Sequence, residues 1–285
     1  MRVLWAIVFG YAAFALGALL YLRVSYWAMG SHVDRRSPLD SLKSLLFEWL
    51  CVLWVQPLLP LYFLIGRRLG PASAHTGSPA PRPIVCVHGY GQNRVDFIWL
   101  ARRLAAAGLG PCFGINYSFL SSVRDSSQRL ETFCKRVLEE TGAPQVDLVC
   151  HSLGGLVAMD LAARRPELIG RIVTIGSPHA GVLFRGPILG ASGGDLKAGS
   201  ELLKEQAALK AGVPVLSIYS SHDNVVHPKS TSFLSARGGE DIEVPHLGHF
   251  GLLFSRSVAD PAIAFLKRDL LQAQRSRPHG NRLDT

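Results

Sequence analysis

The sequence has few of the features that mark metal, redox or nucleic-acid proteins. Its five cysteines show no C-x-x-C spacing and no pattern of metal ligands, and nothing in their spacing requires a disulfide. We therefore predict no metal site and no cofactor. The formal net charge is +9, yet no basic run is interleaved with aromatic residues, which argues against a nucleic-acid partner. Attraction to anionic lipid headgroups explains this charge better.

Charged residues are absent from residues 3–22 (VLWAIVFGYAAFALGALLYL). A bilayer core requires about 20 apolar residues, so this stretch predicts an uncleaved N-terminal membrane anchor. The alternative is a cleaved signal peptide, with Arg2 as its basic end and residues 13–15 (AFA) as a small-residue cleavage site. The long apolar stretch favours the anchor.

A second apolar stretch, residues 45–65, is interrupted by Glu48, Gln56 and two prolines. Pro57 and Pro60 are expected to break or kink a helix there. The stretch is compatible with a second span, a re-entrant segment, a helix in the membrane interface, or a buried helix that packs on the globular domain. Its tryptophans and tyrosine favour membrane contact.

Composition divides the chain into four parts. Residues 1–69 form an N-terminal membrane-anchoring region, and the Gly-, Pro- and Ser-rich residues 70–82 form a linker. Residues 83–270 form the large globular domain, and residues 271–285 form a basic tail that we expect to be disordered. No internal repeat occurs, and the sequence does not indicate an oligomeric state.

Within the large domain, short apolar runs alternate with helical patterns. Strands are predicted at 84–87, 112–117, 146–150, 172–175, 213–219 and 242–244, and helices at 96–107, 123–140, 153–165 and 200–210. Strands that read as continuous apolar runs between helices indicate an α/β fold with a mostly parallel sheet covered on both faces. One or two apolar helices precede it. In such a sheet, ligands bind at the carboxyl ends of the strands.

Residues 146–155 (VDLVCHSLGG) contain the strongest motif. A strand ends, Ser152 follows, and two glycines permit a helix to pack closely behind it. The pattern is close to G-x-S-x-G, in which a strained turn presents a nucleophilic serine, but Cys150 replaces the first glycine. The simpler alternative is a serine that only caps the helix.

Three more features that a serine nucleophile can use follow strand ends. The HGYG segment at 88–91 offers backbone N–H groups for an oxyanion. Asp223 follows the strand that ends at 219 and suits the acid of a triad, although an aspartate in a turn is the plain alternative. His249, in a glycine-flanked loop, is preferred over His246 as the base.

These segments together resemble a bacterial lipase of the α/β-hydrolase superfamily, in the triacylglycerol-lipase group. The resemblance covers residues 83–266 and rests on RPIVCVHGYGQN, VDLVCHSLGG, VTIGSPHAG, SIYSSHDNVV and GHFGLL. It implies Ser152 as nucleophile and Asp223 and His249 as its partners. It also implies that the N–H groups of Tyr90 and Leu153 form the oxyanion hole.

Other residues are predicted to contact substrate or to enclose it. His88, Gly89 and His151 flank the catalytic residues in sequence, and Leu183 and Phe184 lie in a long insertion between two strands. Residues 180–212 are predicted either as a partial lid or acyl-pocket wall, or as an ordinary connecting helix with a loose lead-in.

The predicted function is hydrolysis of carboxylic esters of lipids through an acyl-enzyme on Ser152, with a lipid or ester substrate and a membrane as partners. Acyl transfer or thioester hydrolysis on the same fold is an alternative, as is a membrane-anchored interaction protein without activity. The predicted location is the bacterial inner membrane with the large domain facing the periplasm, or the exterior after signal cleavage.

Overall fold

A seven-stranded sheet forms the centre of the protein. The structure is a computed structural model that describes residues 1–30, 36–71, 80–183 and 188–268. The strand order is β1-β3-β2-β4-β5-β6-β7, and every neighbouring pair is parallel except the antiparallel pair of β1 and β3. The strands are β1 (Arg68–Leu69), β2 (Ile84–Val87), β3 (Cys112–Gly114), β4 (Val146–His151), β5 (Ile169–Ile175), β6 (Val215–Ser220) and β7 (Glu240–Val244). The predicted mostly parallel sheet is confirmed.

Helices cover both faces of this sheet. One apolar core lies between the sheet and helices α4 (Val123–Thr141) and α5 (Leu153–Arg164), and a second lies between the sheet and helices α3 (Ile98–Ala106) and α8 (Arg256–Leu266). Strands β2, β4 and β6 are buried along their whole length, as expected for strands covered on both faces.

Helix α4 illustrates how local sequence sets the bounds of an element. The Ser122 hydroxyl accepts a hydrogen bond from the N–H of Asp125, and the Asp125 carboxylate accepts one from the N–H of Ser122. This reciprocal pair satisfies two donors that a helix start otherwise leaves without acceptors. The helix ends at Gly142, whose φ of 68° suits glycine.

The predicted strand over residues 112–117 is shorter in the structure, where β3 ends at Gly114. The N–H of Tyr117 donates to Nε2 of His88 at 3.2 Å, and its hydroxyl donates to the carbonyl oxygen of His88. These bonds draw residue 117 out of the sheet and toward the end of β2. The residues after 114 therefore line the loop that follows β2.

Two apolar helices precede the sheet, α1 (Arg2–Ala28) and α2 (Pro38–Val55). Both are long and apolar enough to cross a membrane by length and composition. They contact each other: Trp49 Nε1 donates to the carbonyl oxygen of Ala15 at 2.8 Å, and the Tyr11 hydroxyl donates to that of Leu53 at 3.0 Å. A 3₁₀ segment, Gln56–Phe63, follows α2, so the α-helix ends before Pro57 as predicted.

The two helices differ in how much of them the protein buries. Most side chains of α1 are exposed, and Leu22 is fully buried near its end. Helix α2 buries one face and exposes a row of apolar side chains on the other: Leu39, Leu42, Leu46, Leu50 and Trp54. The buried face packs on the sheet domain, which agrees with one of the alternatives left open for this segment.

Strand β1 lies in the part of the chain that composition assigned to the N-terminal region. It extends the sheet by one short antiparallel edge strand before the predicted linker begins. Most of that linker, residues 72–79, lies outside the described residues, and so does the C-terminal tail. All five cysteines are buried and unpaired. Two further helices, α6 (Ala191–Asp195) and α7 (Glu201–Ala208), lie between β5 and β6.

Candidate active site

Ser152 occupies a sharp turn between a buried strand and a helix. Strand β4 ends at His151 and helix α5 begins at Leu153, and Ser152 between them has φ 54° and ψ −124°. A positive φ is uncommon for a residue other than glycine and costs of the order of 1–3 kcal/mol. The Ser152 N–H donates to the carbonyl oxygen of Ile175 at 2.9 Å, and its own carbonyl accepts from Gly155 N–H at 3.0 Å. The turn is thus held from both sides.

The two glycines after the turn are required by close packing. A Cβ on Gly154 would lie 2.2 Å from the carbonyl oxygen of Val87, and a Cβ on Gly155 would lie 2.2 Å from Ser177 Oγ. Neither distance is compatible with a side chain unless its neighbour moves. The prediction that these glycines let α5 pack tightly beneath the turn is confirmed.

Cys150, the departure from the G-x-S-x-G pattern, lies within regular β4. It pairs in register with Val87 on one side and Thr174 on the other, so its backbone needs no glycine. Its side chain is fully buried, and burial raises the pKa of the Cys150 thiol well above its ordinary value. A thiol that stays protonated is a poor nucleophile, which leaves Ser152 as the candidate.

His249 and Asp223 form a buried hydrogen-bonded pair. His249 Nδ1 lies 2.8 Å from Asp223 Oδ2, and both side chains are almost fully buried. The other carboxylate oxygen, Oδ1, accepts from the N–H groups of Val225 at 2.8 Å and Val226 at 2.7 Å. Because Nδ1 donates to the carboxylate, Nε2 of His249 is left with a lone pair that can accept a proton.

The surroundings of His249 favour its protonated form more than water favours that of a free histidine. Burial by itself lowers the pKa of His249, but the charge of Asp223, the hydrogen bond to it, and the charge of Glu48 outweigh that effect. The net result is a pKa raised above the ordinary 6.5. A raised pKa makes His249 a stronger base for taking a proton from a hydroxyl.

Three strand ends bring these residues together. Gly176 follows β5, and a Cβ there would lie 3.1 Å from Asp223 Oδ2 and 3.4 Å from His249 Nδ1. The preceding residue, Ile175, is the one that accepts the N–H of Ser152. The carboxyl ends of β4, β5 and β6 therefore meet at one place, where Ser152, Asp223 and His249 were each predicted to lie.

His246, the competing histidine, lies elsewhere in the same loop. It is exposed, its N–H donates to Nδ1 of His222 at 3.0 Å, and its ring stacks on the His222 ring at a centroid distance of 4.9 Å. The carboxylate of Asp223 contacts His249 instead. This arrangement agrees with the choice of His249 as the candidate base.

The loop after β2 lies directly against the turn of Ser152. A Cβ on Gly89 would lie 2.9 Å from Ser152 Cβ and 2.3 Å from Gln92 Oε1, so glycine permits this approach. The Gly89 N–H donates to Gln92 Oε1 at 3.0 Å, and the Tyr90 hydroxyl donates to the carbonyl oxygen of Leu189 at 2.8 Å. These two bonds fix the backbone of the loop at Gly89 and the side chain of Tyr90.

The two predicted oxyanion donors differ in how their backbone is placed. Leu153 is the first residue of α5, so its N–H is one of the four that a helix start leaves without an intrahelical acceptor. Tyr90 follows Gly89 in the loop against Ser152, and its ring packs on Phe119 at a centroid distance of 4.9 Å. Their joint action on an oxyanion remains a prediction.

His88 was predicted to contact substrate, but its ring is engaged inside the protein. Nε2 accepts the N–H of Tyr117, so Nδ1 carries the proton and donates to the carbonyl oxygen of Gly89 at 2.9 Å. The ring also stacks on Tyr117 at 4.1 Å. Burial lowers the pKa of His88 to about 4. A neutral, fully engaged ring favours a role in supporting the loop.

His151 is likewise buried between the two loops. Nε2 lies 3.0 Å from the carbonyl oxygen of His249, and Nδ1 lies 2.9 Å from Gln92 Oε1. Burial, with the nearby charge of His249, lowers the pKa of His151 well below 6.5, so the ring is neutral and donates in only one of these contacts. Its position favours support of the His249 backbone over substrate contact.

The insertion between β5 and β6 is only partly described. Leu183 is partly exposed, and Val182 forms a parallel bridge with Lys197. Phe184, the other predicted apolar contact, lies outside the described residues. The segment is fixed to the loop before α4, because the N–H groups of Ala191 and Ser192 donate to the carbonyl oxygens of Leu120 and Ser121.

Sequence reasoning missed several residues that support the site. The Gln92 side chain lies between the loop after β2 and His151, and its place three residues after Gly89 is a signal in the sequence. Asn224 accepts the N–H of His249 through its side chain at 3.0 Å. Glu48 accepts the N–H groups of Phe250 and Gly251. Its signal, a single acid in an apolar stretch, was treated only as an interruption.

Comparison with known proteins supports the fold described above. Residues 82–189 match the family model described as alpha/beta hydrolase fold. The chain is 30% identical over 145 residues to a triacylglycerol lipase of Burkholderia plantarii, covering 47% of this chain and 40% of that protein. It is 31% identical over 119 residues to a triacylglycerol lipase of Pseudarthrobacter phenanthrenivorans, covering 39% of this chain and 37% of that one. The chain thus spans well under half the length of these relatives.

Solved structures resemble the protein over a larger share of the chain. Aspergillus fumigatus lipase B superposes with a TM-score of 0.59 at 18% identity, covering 69% of this chain and 55% of that one. The mature form of Bacillus licheniformis lipase BlEst2 superposes with a TM-score of 0.58 at 15% identity, covering 68% of this chain and 96% of that one. The sheet order, the turn at Ser152 and these matches together show that the chain has the α/β-hydrolase fold.

Proposed function

We propose that the protein is a serine hydrolase that cleaves carboxylic esters of lipids through an acyl-enzyme on Ser152. The observation that carries this proposal is the buried pair of His249 and Asp223 at the strand ends beside the Ser152 turn, with His249 Nδ1 2.8 Å from the carboxylate. The names of the bacterial relatives support the same reaction class.

In the proposed reaction, Nε2 of His249 takes the proton of the Ser152 hydroxyl as its oxygen attacks the ester carbonyl carbon. The carboxylate of Asp223 holds the imidazole in the required tautomer and stabilises the imidazolium. The tetrahedral intermediate collapses, and the imidazolium gives its proton to the departing alcohol. A water molecule, deprotonated by the same Nε2, then releases the carboxylic acid and restores Ser152.

Two backbone N–H groups, those of Tyr90 and Leu153, are assigned to the negative oxygen of the intermediate. Donors that are fixed before the reaction stabilise this charge without reorganising. The hydrogen bonds of Gly89 and Tyr90 to Gln92 and Leu189 support this assignment, because they fix the loop that carries one donor.

The surface beside Tyr90 supports a lipid-like acyl group. Leu120 and Leu189 are largely exposed, and the ring of Phe119 packs on Tyr90. Exposed apolar side chains next to a polar site favour an apolar ligand. We assign residues 188–212 to the wall of this acyl-binding surface, since the N–H groups of Ala191 and Ser192 donate to the loop that carries Leu120.

We further propose that α1 anchors the protein in a membrane and that α2 lies along the membrane surface. Helix α1 exposes apolar side chains along most of its length, and α2 exposes its row of leucines and Trp54 away from the sheet domain. Such surfaces suit a lipid environment. With Arg2 inside, the large domain faces outward.

The test is hydrolysis of p-nitrophenyl esters of short to long acyl chains by the full chain in detergent micelles and by its Ser152→Ala variant. We expect the variant to lose at least about 10³-fold in kcat, and we expect labelling by a fluorophosphonate to require Ser152. Equal rates of the two proteins on every ester would refute the proposal. The chain-length profile separates an esterase from a lipase.

A further inference from the structure

Glu48 is a buried acid on the largely apolar helix α2. It lies in α2, it is fully buried, and it belongs to the face of α2 that packs on the sheet domain. A buried carboxylate is unfavourable unless hydrogen bonds or charges compensate its lost hydration. A helix that served only to contact lipid would have no use for this side chain.

Both oxygens of Glu48 bind the loop that carries His249. Oε1 accepts the N–H of Phe250 at 2.8 Å, and Oε2 accepts the N–H of Gly251 at 2.6 Å. These N–H groups belong to the two residues that directly follow His249. Hydrogen bonds from backbone N–H groups to a carboxylate are about twice as strong as bonds between neutral groups.

The glycines of this loop are shaped around the carboxylate. A Cβ on Gly248 would lie 2.5 Å from the carboxyl carbon of Glu48 and 2.4 Å from the Tyr26 hydroxyl oxygen. A Cβ on Gly251 would lie 2.9 Å from Glu48 Oε2. Gly248 and Gly251 therefore approach the Glu48 carboxylate more closely than residues with a side chain could.

A second contact joins α1 to the loop that carries Asp223. Ser25 Oγ donates to the carbonyl oxygen of Asn224 at 2.6 Å, and Asn224 Nδ2 lies 3.1 Å from Ser25 Oγ. Asn224 in turn accepts the N–H of His249. Leu22 and Met29, on either side of Ser25, are fully buried. Both N-terminal helices thus contact the backbone around His249.

We infer that Glu48 is a positioning residue for His249, through which α2 supports the active site in addition to its proposed place at the membrane. Glu48 acts through the backbone of residues 250 and 251. Burial raises the pKa of Glu48 to about 7, so above that pH it also acts through its charge. This inference rests on the proposed function of His249. The ionisable groups that face His249 are Asp223, Glu48 and His151.

The first test compares Glu48→Gln with Val52→Ala in the full chain in detergent micelles. The amide that Glu48→Gln introduces can accept only one of the two N–H groups and carries no charge. A small displacement of a catalytic group costs up to about 10²-fold in rate, so we expect kcat to fall about 10- to 100-fold with KM changed less than about threefold. Val52 lies on the same buried face of α2 and its side chain carries no polar group, so Val52→Ala should lower Tm and leave kcat unchanged.

Glu48→Asp keeps the carboxylate and should retain more activity than Glu48→Gln. If the glutamine variant does not fold, Glu48→Asp is compared with the wild-type protein instead. Equal kcat in folded wild-type, Glu48→Gln and Glu48→Asp proteins would overturn the inference. A loss of kcat in Val52→Ala equal to that in Glu48→Gln would overturn it too, because general loosening of α2 would then explain both.

The second test does not depend on ester hydrolysis. In ¹⁵N-histidine-labelled protein, the ring resonances that disappear in His249→Gln identify His249, and their titration gives its pKa. The charge of Glu48 raises that pKa, so Glu48→Gln should lower it while Val52→Ala should not. An unchanged midpoint in Glu48→Gln refutes the positioning role, whereas absence of Ser152-dependent hydrolysis refutes the proposed function alone.

Discussion

Replacement of Asp223 by asparagine tests the proposed triad at the position where the structure constrains the outcome most. The introduced amide has one oxygen and one NH₂ group, and three partners fix how it must turn. Val225 and Val226 both present N–H groups to Oδ1. Turning the NH₂ toward them would leave two buried donors without acceptors, at about 1–3 kcal/mol each. The oxygen therefore stays there, and the NH₂ faces His249.

This orientation inverts the tautomer of the histidine. Nδ1 of His249 would accept from the introduced NH₂ group, so the ring proton moves to Nε2, which then cannot receive the proton of Ser152. We expect kcat to fall about 10³- to 10⁴-fold, as holds for wrong-tautomer histidines in such triads. Loss of the Asp223 charge should also move the acid limb of the kcat/KM profile to lower pH, because that charge raises the pKa of His249.

Asp241→Asn is the matched control for this variant. Asp241 also accepts two backbone N–H groups, those of Leu234 at 2.8 Å and Ser235 at 3.0 Å, but it contacts the loop before β7 and not His249. The control should lose stability and keep its kcat. Steady-state hydrolysis of p-nitrophenyl esters by both variants decides the matter. If Asp223→Asn keeps kcat within about tenfold of wild type, the assignment of the triad acid is refuted.

Three further predictions concern the same site. Gly89→Ala should destabilise the fold by about 1–3 kcal/mol through overpacking and should reduce kcat about 100-fold by displacing Ser152. The control is Gly194→Ala, whose methyl meets no atom within 4 Å and which should change neither stability nor kcat. A fully active Gly89→Ala protein would contradict the close approach of Gly89 to Ser152. Activity requires neutral His249, so kcat/KM should fall as pH drops through a midpoint above 6.5, and a midpoint below 6.5 would contradict the raised pKa. Gly154→Ala would place a methyl 2.2 Å from a backbone oxygen, so thermal denaturation should show a loss of more than about 2 kcal/mol.

The parts of the fold that depend on local sequence could be predicted. Strand β4 and helix α5 follow from an apolar run and a helical pattern, and the turn between them follows from Ser152 and its glycines. The end of β3 could not be predicted, because it is set by hydrogen bonds of Tyr117 to His88, 29 residues away. Tertiary contacts of this kind override the apolar pattern of residues 115–117.

The residues that hold the site in place were harder to predict from the sequence than its reactive groups. Ser152, Asp223 and His249 follow strand ends, where the topology of a parallel sheet brings side chains together. Glu48 lies 203 residues before Gly251 and belongs to a helix outside the sheet. A carboxylate in an apolar stretch has no local sign of its partner, so its role required the three-dimensional contacts.

The contact between Ser25 and Asn224 has a consequence for the depth at which the proposed reaction would take place. If residues 3–22 fill the hydrocarbon of a bilayer, Ser25 stands only three residues further along α1, about 5 Å at 1.5 Å per residue. Asn224 contacts both Ser25 and His249. His249 would then lie at the level of the lipid headgroups, where glycerolipids carry their ester bonds. A substrate could reach the site without leaving its leaflet, and a released fatty acid could return to the same leaflet.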